Sequence, residues 1–142
     1  MAKLHLMNKL GRIYLTWTRK LQRELVPHDI SLKQQFVLKQ LKKKSFLYPF
    51  QIAEMLYCDR PTATVIIKNL EKKGWVKRER DPENARQYRI SITEDGLIKL
   101  ESLYGACGPK DMDRFDPLKC LSSEEREQLE QLIMKVFKNM DY

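Results

Sequence analysis

Ten residues between positions 60 and 89 are of types that could grip a polyanion or read the edge of a base pair. They are Arg60, Pro61, Thr62, Thr64, Val65, Lys68, Arg78, Arg80, Arg86 and Arg89. Arginine and lysine reach phosphates or guanine, and threonine hydroxyls bond phosphate or base. Proline and valine offer only apolar contact, for instance to a thymine methyl. Lys77 adds another cation in the same stretch. The charge is unevenly spread. Residues 60–92 are net +5, residues 1–59 net +7 and residues 93–142 net −4, within a chain of 142 residues and net +8. A single basic side with an acidic tail suits one surface facing a polyanion, although total charge alone fits a solvated lysine surface equally well.

Other chemistry finds little support. Cys58, Cys107 and Cys120 are widely spaced, no CxxC pair exists, and His5 and His28 lie far from them, so no metal site is expected. Scattered, odd-numbered cysteines suit free thiols in a reducing cytoplasm. No apolar run approaches the roughly 20 residues of a membrane span, and Lys3, His5, Asn8, Lys9 and Arg12 interrupt any signal-peptide core. The chain shows no nucleophile–base pair and no glycine-rich phosphate loop, so neither an enzyme nor a cofactor is expected.

The elements that must position the ten residues can be read from periodicity and caps. Leu6, Leu10, Ile13, Tyr14, Trp17, Leu21 and Leu25 recur at helical spacing up to Pro27. Ser31 with Gln34 is a capping-box start for a second helix through Leu32, Phe36, Val37 and Leu41. Pro49 opens a short third helix with Ile52, Ala53 and Leu56 inward. Asp59 is an N-cap and Pro61 a first-turn proline for a fourth helix with Ala63, Ile66, Ile67 and Leu70 on one face and Gly74 as its stop. The period then becomes two. Trp75–Arg80 and Gln87–Ile92 read as strands joined by the turn residues Asp81, Pro82, Glu83 and Asn84. Thr93 caps a fifth helix to about Tyr104. Gly105, Gly108, Pro109 and Pro117 mark an irregular connection, and Ser122 with Glu125 caps a last helix carrying Leu129, Leu132, Ile133, Val136, Phe137 and Met140.

The fold class expected is mainly α with a small β-hairpin wing. A helix-turn-helix followed by a hairpin presents its second helix to the major groove, which assigns that role to Arg60, Pro61, Thr62, Thr64, Val65 and Lys68. Arg86, at the hairpin tip, is the candidate for an adjacent minor groove. The competing view is an ordinary core with a solvated charged face, but topology, caps and local charge agree on the first.

The stretches Gln51–Leu56, Thr62–Thr64, Asn69–Val76, Arg80–Arg86 and Ile92–Gly96 resemble the multiple antibiotic resistance regulator (MarR) family, as do the Leu32–Leu41 helix and the Leu121–Glu125 start. The likeness covers nearly the whole chain. It implies a single domain over 1–142, with a winged helix-turn-helix lobe at 31–93 and dimerisation helices at 1–26 and 121–142. It also implies a homodimer on a pseudo-palindromic operator in double-stranded DNA, acting as a repressor released by a small-molecule effector or by oxidation. The wide apolar stripes of both terminal helices agree, since one small core would not easily hide them. Three departures stand out. Asn84 occupies a position usually held by aspartate, Val65 one often basic, and the fifth helix reads as shorter, broken by Gly105 and Gly108-Pro109. No cysteine lies in the first helix, where oxidation-sensing relatives carry one. Arg12, Trp17 and His28 could contribute to an effector pocket. A protein-interaction module and a thiol-based redox regulator remain as alternatives.

Overall fold

The computed structural model describes residues 2–106 and 116–140, with side chains from 5 to 103 and from 116 to 140. Helix α1 (Ala2–Leu25) continues into a short 3-10 turn, Val26–His28, closed by Asp29 in the left-handed region at φ 54°. Helix α2 (Leu32–Lys43) begins at the expected capping box. Ser31 Oγ accepts from Gln34 N at 3.1 Å, and Gln34 Oε1 accepts from Ser31 N at 3.0 Å. Gln22 Oε1 accepts from Leu32 N at 2.9 Å, which fixes the end of α1 to the start of α2.

Helices α3 (Pro49–Leu56) and α4 (Arg60–Lys72) are separated by a turn in which Tyr57 takes φ 52°. Asp59 Oδ1 accepts from Thr62 N at 2.7 Å, the N-cap bond that starts α4. Gly74, at φ 74°, reverses the chain after α4, where a side chain would be strained. Strands β1 (Val76–Arg80) and β2 (Tyr88–Ile92) pair antiparallel from Val76 opposite Ile92 to Arg80 opposite Tyr88. Helix α5 (Glu94–Ala106) follows, with Thr93 Oγ1 accepting from Gly96 N at 3.1 Å, and α6 (Ser123–Lys138) starts at the Ser122–Glu125 capping box.

The core lies where α2, α3, α4, β2 and α5 converge, with Val37, Leu38, Leu41, Ile52, Leu70, Ile90 and Leu100 essentially closed to solvent. Gly96 makes one close approach possible. A Cβ there would collide with the Trp75 carbonyl oxygen, so only glycine lets the first turn of α5 lie against the start of the wing.

The expected mainly α architecture with one hairpin is what forms, with differences at the edges. Each strand starts one residue later than expected, because Trp75 N is bonded to Leu70 O at 3.1 Å and Gln87 N to Asn84 O at 2.9 Å. Phe36 is exposed rather than inward, and Leu56 and Ile66 are only half-buried. Helix α5 runs to Ala106, so Gly105 lies inside it; Cys107, Gly108 and Pro109 fall outside the described residues. A feature with no periodic signal also forms: Leu47 pairs with Ile90 through two backbone bonds of 2.9 and 2.8 Å. No helix among the described residues is long and apolar enough to cross a membrane.

Candidate nucleic-acid interface

Helix α4 turns Ala63, Ile67 and Leu70 into the core, and the same geometry leaves Arg60, Pro61, Thr62, Thr64, Val65 and Lys68 exposed on its other face. All six sequence-predicted residues of this helix therefore share one open surface. Val65 is 57% exposed, so its methyl groups are open to an apolar contact. Arg60 and Lys68 have no ion-pair partner among the described residues, so their charges are available to an anion. Thr64 Oγ1 donates to the Arg60 carbonyl at 2.9 Å, which spends its proton on the helix and leaves its lone pairs to accept from a ligand. The Thr62 side chain and backbone both bond Asp59 and hold its carboxyl below the ordinary carboxylate range.

The hairpin residues divide. Arg78 lies 3.3 Å from Glu71 Oε1 and over the Tyr88 ring, which ties the end of α4 to the wing. Arg80 stays exposed beside the same ring at 6.0 Å, and Lys77 pairs with Glu79 at 3.2 Å. Arg86 stands exposed at the tip with no ion-pair partner among the described residues. Asn84 Oδ1 accepts from Arg86 N at 3.1 Å, so the residue found in place of the usual aspartate shapes the turn backbone rather than the guanidinium.

Arg89 is placed differently from its neighbours. Its guanidinium sits 4.3 Å from the Phe46 ring centroid and 3.5 Å from Asp81 Oδ1, with less than a third of the side chain exposed. It braces the wing just below its tip, one pair from the end of the strands, instead of reaching outward.

Asp81 was legible only as a turn residue, yet it is 6% exposed and is a junction of polar contacts. Its Oδ2 accepts from the Tyr48 hydroxyl at 2.5 Å, and its Oδ1 accepts from Glu83 N at 2.8 Å. The Tyr48 bond above all, then the Glu83 bond, lowers the Asp81 pKa against the opposing effect of burial. The same bond, with burial, raises that of Tyr48. Sequence reading could not find this pair, because the partners are 33 positions apart and neither belongs to a periodic pattern.

Two further features lie away from this face. A cavity of about 350 Å³ opens between α1, α2 and α3, lined by Tyr14, Trp17, Leu21, Phe36, Met55 and Leu56 among others. Trp17 also lines a neighbouring recess with Arg12, whereas His28 lines neither. Cys58 is half-buried within the α3–α4 turn, and Cys120 is exposed.

Comparison with known proteins bears on the family and the fold. The family model described as MarR family matches residues 30–88. The chain is 29% identical over 131 residues to the multiple antibiotic resistance protein MarR of Salmonella typhimurium, covering 89% of this chain and 90% of that one. It is 28% identical over 119 residues to the HTH-type transcriptional regulator SarZ of Staphylococcus haemolyticus, covering 83% and 78%. Among solved structures it is similar to a mutant MarR from E. coli complexed with operator DNA, with TM-score 0.82, 25% identity and 95% of each chain covered. The S. aureus MepR–DNA complex shares the fold at TM-score 0.81 and 24% identity, over 94% of this chain and 97% of that one.

Proposed function

This chain belongs to the MarR family of transcription regulators, and from that premise we propose that it binds duplex DNA sequence-specifically as a homodimer and represses transcription. Its family is one of regulators, not of enzymes. The observation that carries the reading is the single open face of α4, where Arg60, Pro61, Thr62, Thr64, Val65 and Lys68 all point away from the core, with Arg86 projecting from the adjacent wing. A recognition helix presents its N-terminal half to base edges in the major groove. Arg60 and Lys68 supply phosphate or guanine contacts, Thr62 and Thr64 accept from base amino groups because their hydroxyl protons are already bonded within the protein, and Pro61 and Val65 favour thymine methyls. Arg86 reaches the flanking minor groove.

The dimer is supported by α1 and α6. Leu6 is 61% exposed and Val136 60%, and Leu10, Ile13, Leu132 and Ile133 are likewise exposed along the two helices. Apolar stripes of that extent are covered in a stable assembly. Two α4 helices related by a two-fold axis then meet successive major grooves about one helical turn apart. The repressor reading draws on a partial likeness to the transcriptional repressor MprA of Escherichia coli, 30% identical over 95 residues that cover 67% of this chain and 52% of that one. The cavity between α1, α2 and α3 is of a size and apolar character suited to an effector, and it joins the dimerisation helix to the helix-turn-helix.

Selection of bound sequences from random duplex DNA tests the reading. Enrichment of a two-fold symmetric motif is expected, and the absence of any enriched motif would overturn it in favour of a protein-interaction module. On the selected duplex, Arg86→Ala is expected to weaken binding by about 1–3 kcal/mol in an anisotropy titration at fixed salt; unchanged affinity would remove the wing from the interface.

A further inference from the structure

Three consecutive residues before α3 clasp the wing, each through a different kind of contact. Phe46 offers its ring to the Arg89 guanidinium at 4.3 Å. Leu47 exchanges two backbone hydrogen bonds with Ile90. Tyr48 donates its hydroxyl to the buried Asp81 carboxylate at 2.5 Å. The first two hold β2, with Phe46 touching Asp81 only at second hand through Arg89, which lies 3.5 Å from it, and the third bonds Asp81 at the root of the wing tip directly.

Tyr48 is also the N-cap of α3, a position that favours serine, threonine, aspartate or asparagine. Its hydroxyl makes no bond to the helix it caps. Gln51 Oε1 accepts from Tyr48 N at 2.9 Å, while the Tyr48 ring, stacked 5.8 Å from Phe50, carries the hydroxyl across to Asp81. A good helix cap is forgone, and the hydroxyl serves the wing.

The tip itself is a small closed unit. Asp81 N bonds Gln87 O at 2.9 Å, Asp81 Oδ1 accepts from Glu83 N, Gln87 N bonds Asn84 O, and Asn84 Oδ1 accepts from Arg86 N. Arg86 therefore follows Asp81, because the bond from its backbone to Asn84 leads through Gln87 back to Asp81. Asp81 in turn is anchored outside the hairpin by Tyr48.

We propose that Tyr48 is a positioning residue for DNA recognition, acting through Asp81 to set the direction in which the wing tip presents Arg86. This deepens the DNA-binding reading above and rests on it. A charge at the end of a hairpin has little directional value unless its root is fixed, and small losses of pre-organisation in a supporting contact are felt at the site.

The test uses full-length Tyr48→Phe, which keeps the ring and its stacking and removes only the hydroxyl, with Asp81→Asn as a second variant. Hydrogen exchange on the free protein reads the wing directly. Faster exchange at the amides of Glu83, Arg86 and Gln87, with α2 and α5 amides unchanged, is expected; unchanged wing exchange in both variants would overturn the inference whatever the DNA result. On the duplex recovered by selection, Tyr48→Phe is expected to weaken binding roughly three- to tenfold. The double variant Tyr48→Phe/Arg86→Ala should bind no more weakly than Arg86→Ala alone, since the hydroxyl matters only through that arginine. Losses that instead multiply would show a merely structural role and overturn the inference. If the wild-type protein enriches no duplex, the DNA reading fails by itself, and the exchange experiment still decides whether Tyr48 holds the wing.

Discussion

Arg86 and Arg89 belong to one hairpin and carry the same group, but their surroundings assign them different work. Arg89 has an acidic partner and an aromatic one, so its charge is consumed within the wing, whereas Arg86 is open to solvent. Lys68 resembles Arg86 in being open, but it lies on the helix face. Lys68→Ala should weaken binding almost uniformly across sequences and reduce the slope of log K against log salt by about 1. Titration at four salt concentrations checks this; an unchanged slope would place Lys68 off the phosphate backbone. Asp81 gives a pH signature. Its folded-state pKa is lowered from the ordinary 3.8, so on acidification the unfolded chain takes up the proton first. The stabilisation it supplies is complete above about pH 3.8 and is lost as pH falls further through the depressed folded value. Thermal unfolding between pH 7 and 3 should therefore show a smaller acid loss for Asp81→Asn than for the wild type, from a lower starting stability.

At the scale of elements, caps and close approaches set the lobe's geometry. Both sequence capping boxes form, at Ser31–Gln34 and Ser122–Glu125. Ser31→Ala should destabilise the protein by about 1 kcal/mol in urea unfolding, since Gln34 N then loses its acceptor at the start of α2. Gly96→Ala should cost more, about 2 kcal/mol or above, because the added carbon meets the Trp75 backbone and not a movable side chain. An unchanged midpoint for Gly96→Ala would mean that α5 can shift away from the wing freely. The strand boundaries that sequence reading missed are set by local cap and turn bonds, which hydrophobic period alone does not register. The period-two signal included Trp75 and Gln87, but both amides are taken by bonds that end α4 and close the wing tip.

At the scale of the molecule, the helices that flank the lobe look unfinished in one chain. Leu21 and Leu25 are buried at the end of α1, whereas Leu6, Leu10, Ile13 and Tyr14 before them are exposed, and so are Leu132, Ile133, Val136 and Phe137 on α6. Helical periodicity made these residues visible but could not say whether a core or a second chain would cover them. Their exposure beside a complete core favours the second chain. Paired substitution Leu10→Glu/Ile133→Glu should convert a dimer to a monomer in sedimentation velocity and lower affinity for a two-fold symmetric duplex by roughly tenfold or more, since the two half-sites are then no longer linked. A dimer that persists would move the interface elsewhere.

Local physics is written locally, and so the sequence by itself determined the helices, their caps, the hairpin and the outward face of α4. Capping residues, a period of 3.6 or 2, and proline and glycine all act within a few residues of where they stand. What only the tertiary structure decided was which like residues do unlike things. It separated Arg86 from Arg89, turned Asp81 from a turn former into a buried anchor, and sent the Tyr48 hydroxyl away from its own helix to the wing. Those outcomes depend chiefly on contacts far apart in the chain, Tyr48 with Asp81 and Phe46 with Arg89, together with the nearer Arg89–Asp81 pair, and no spacing in the chain announces them.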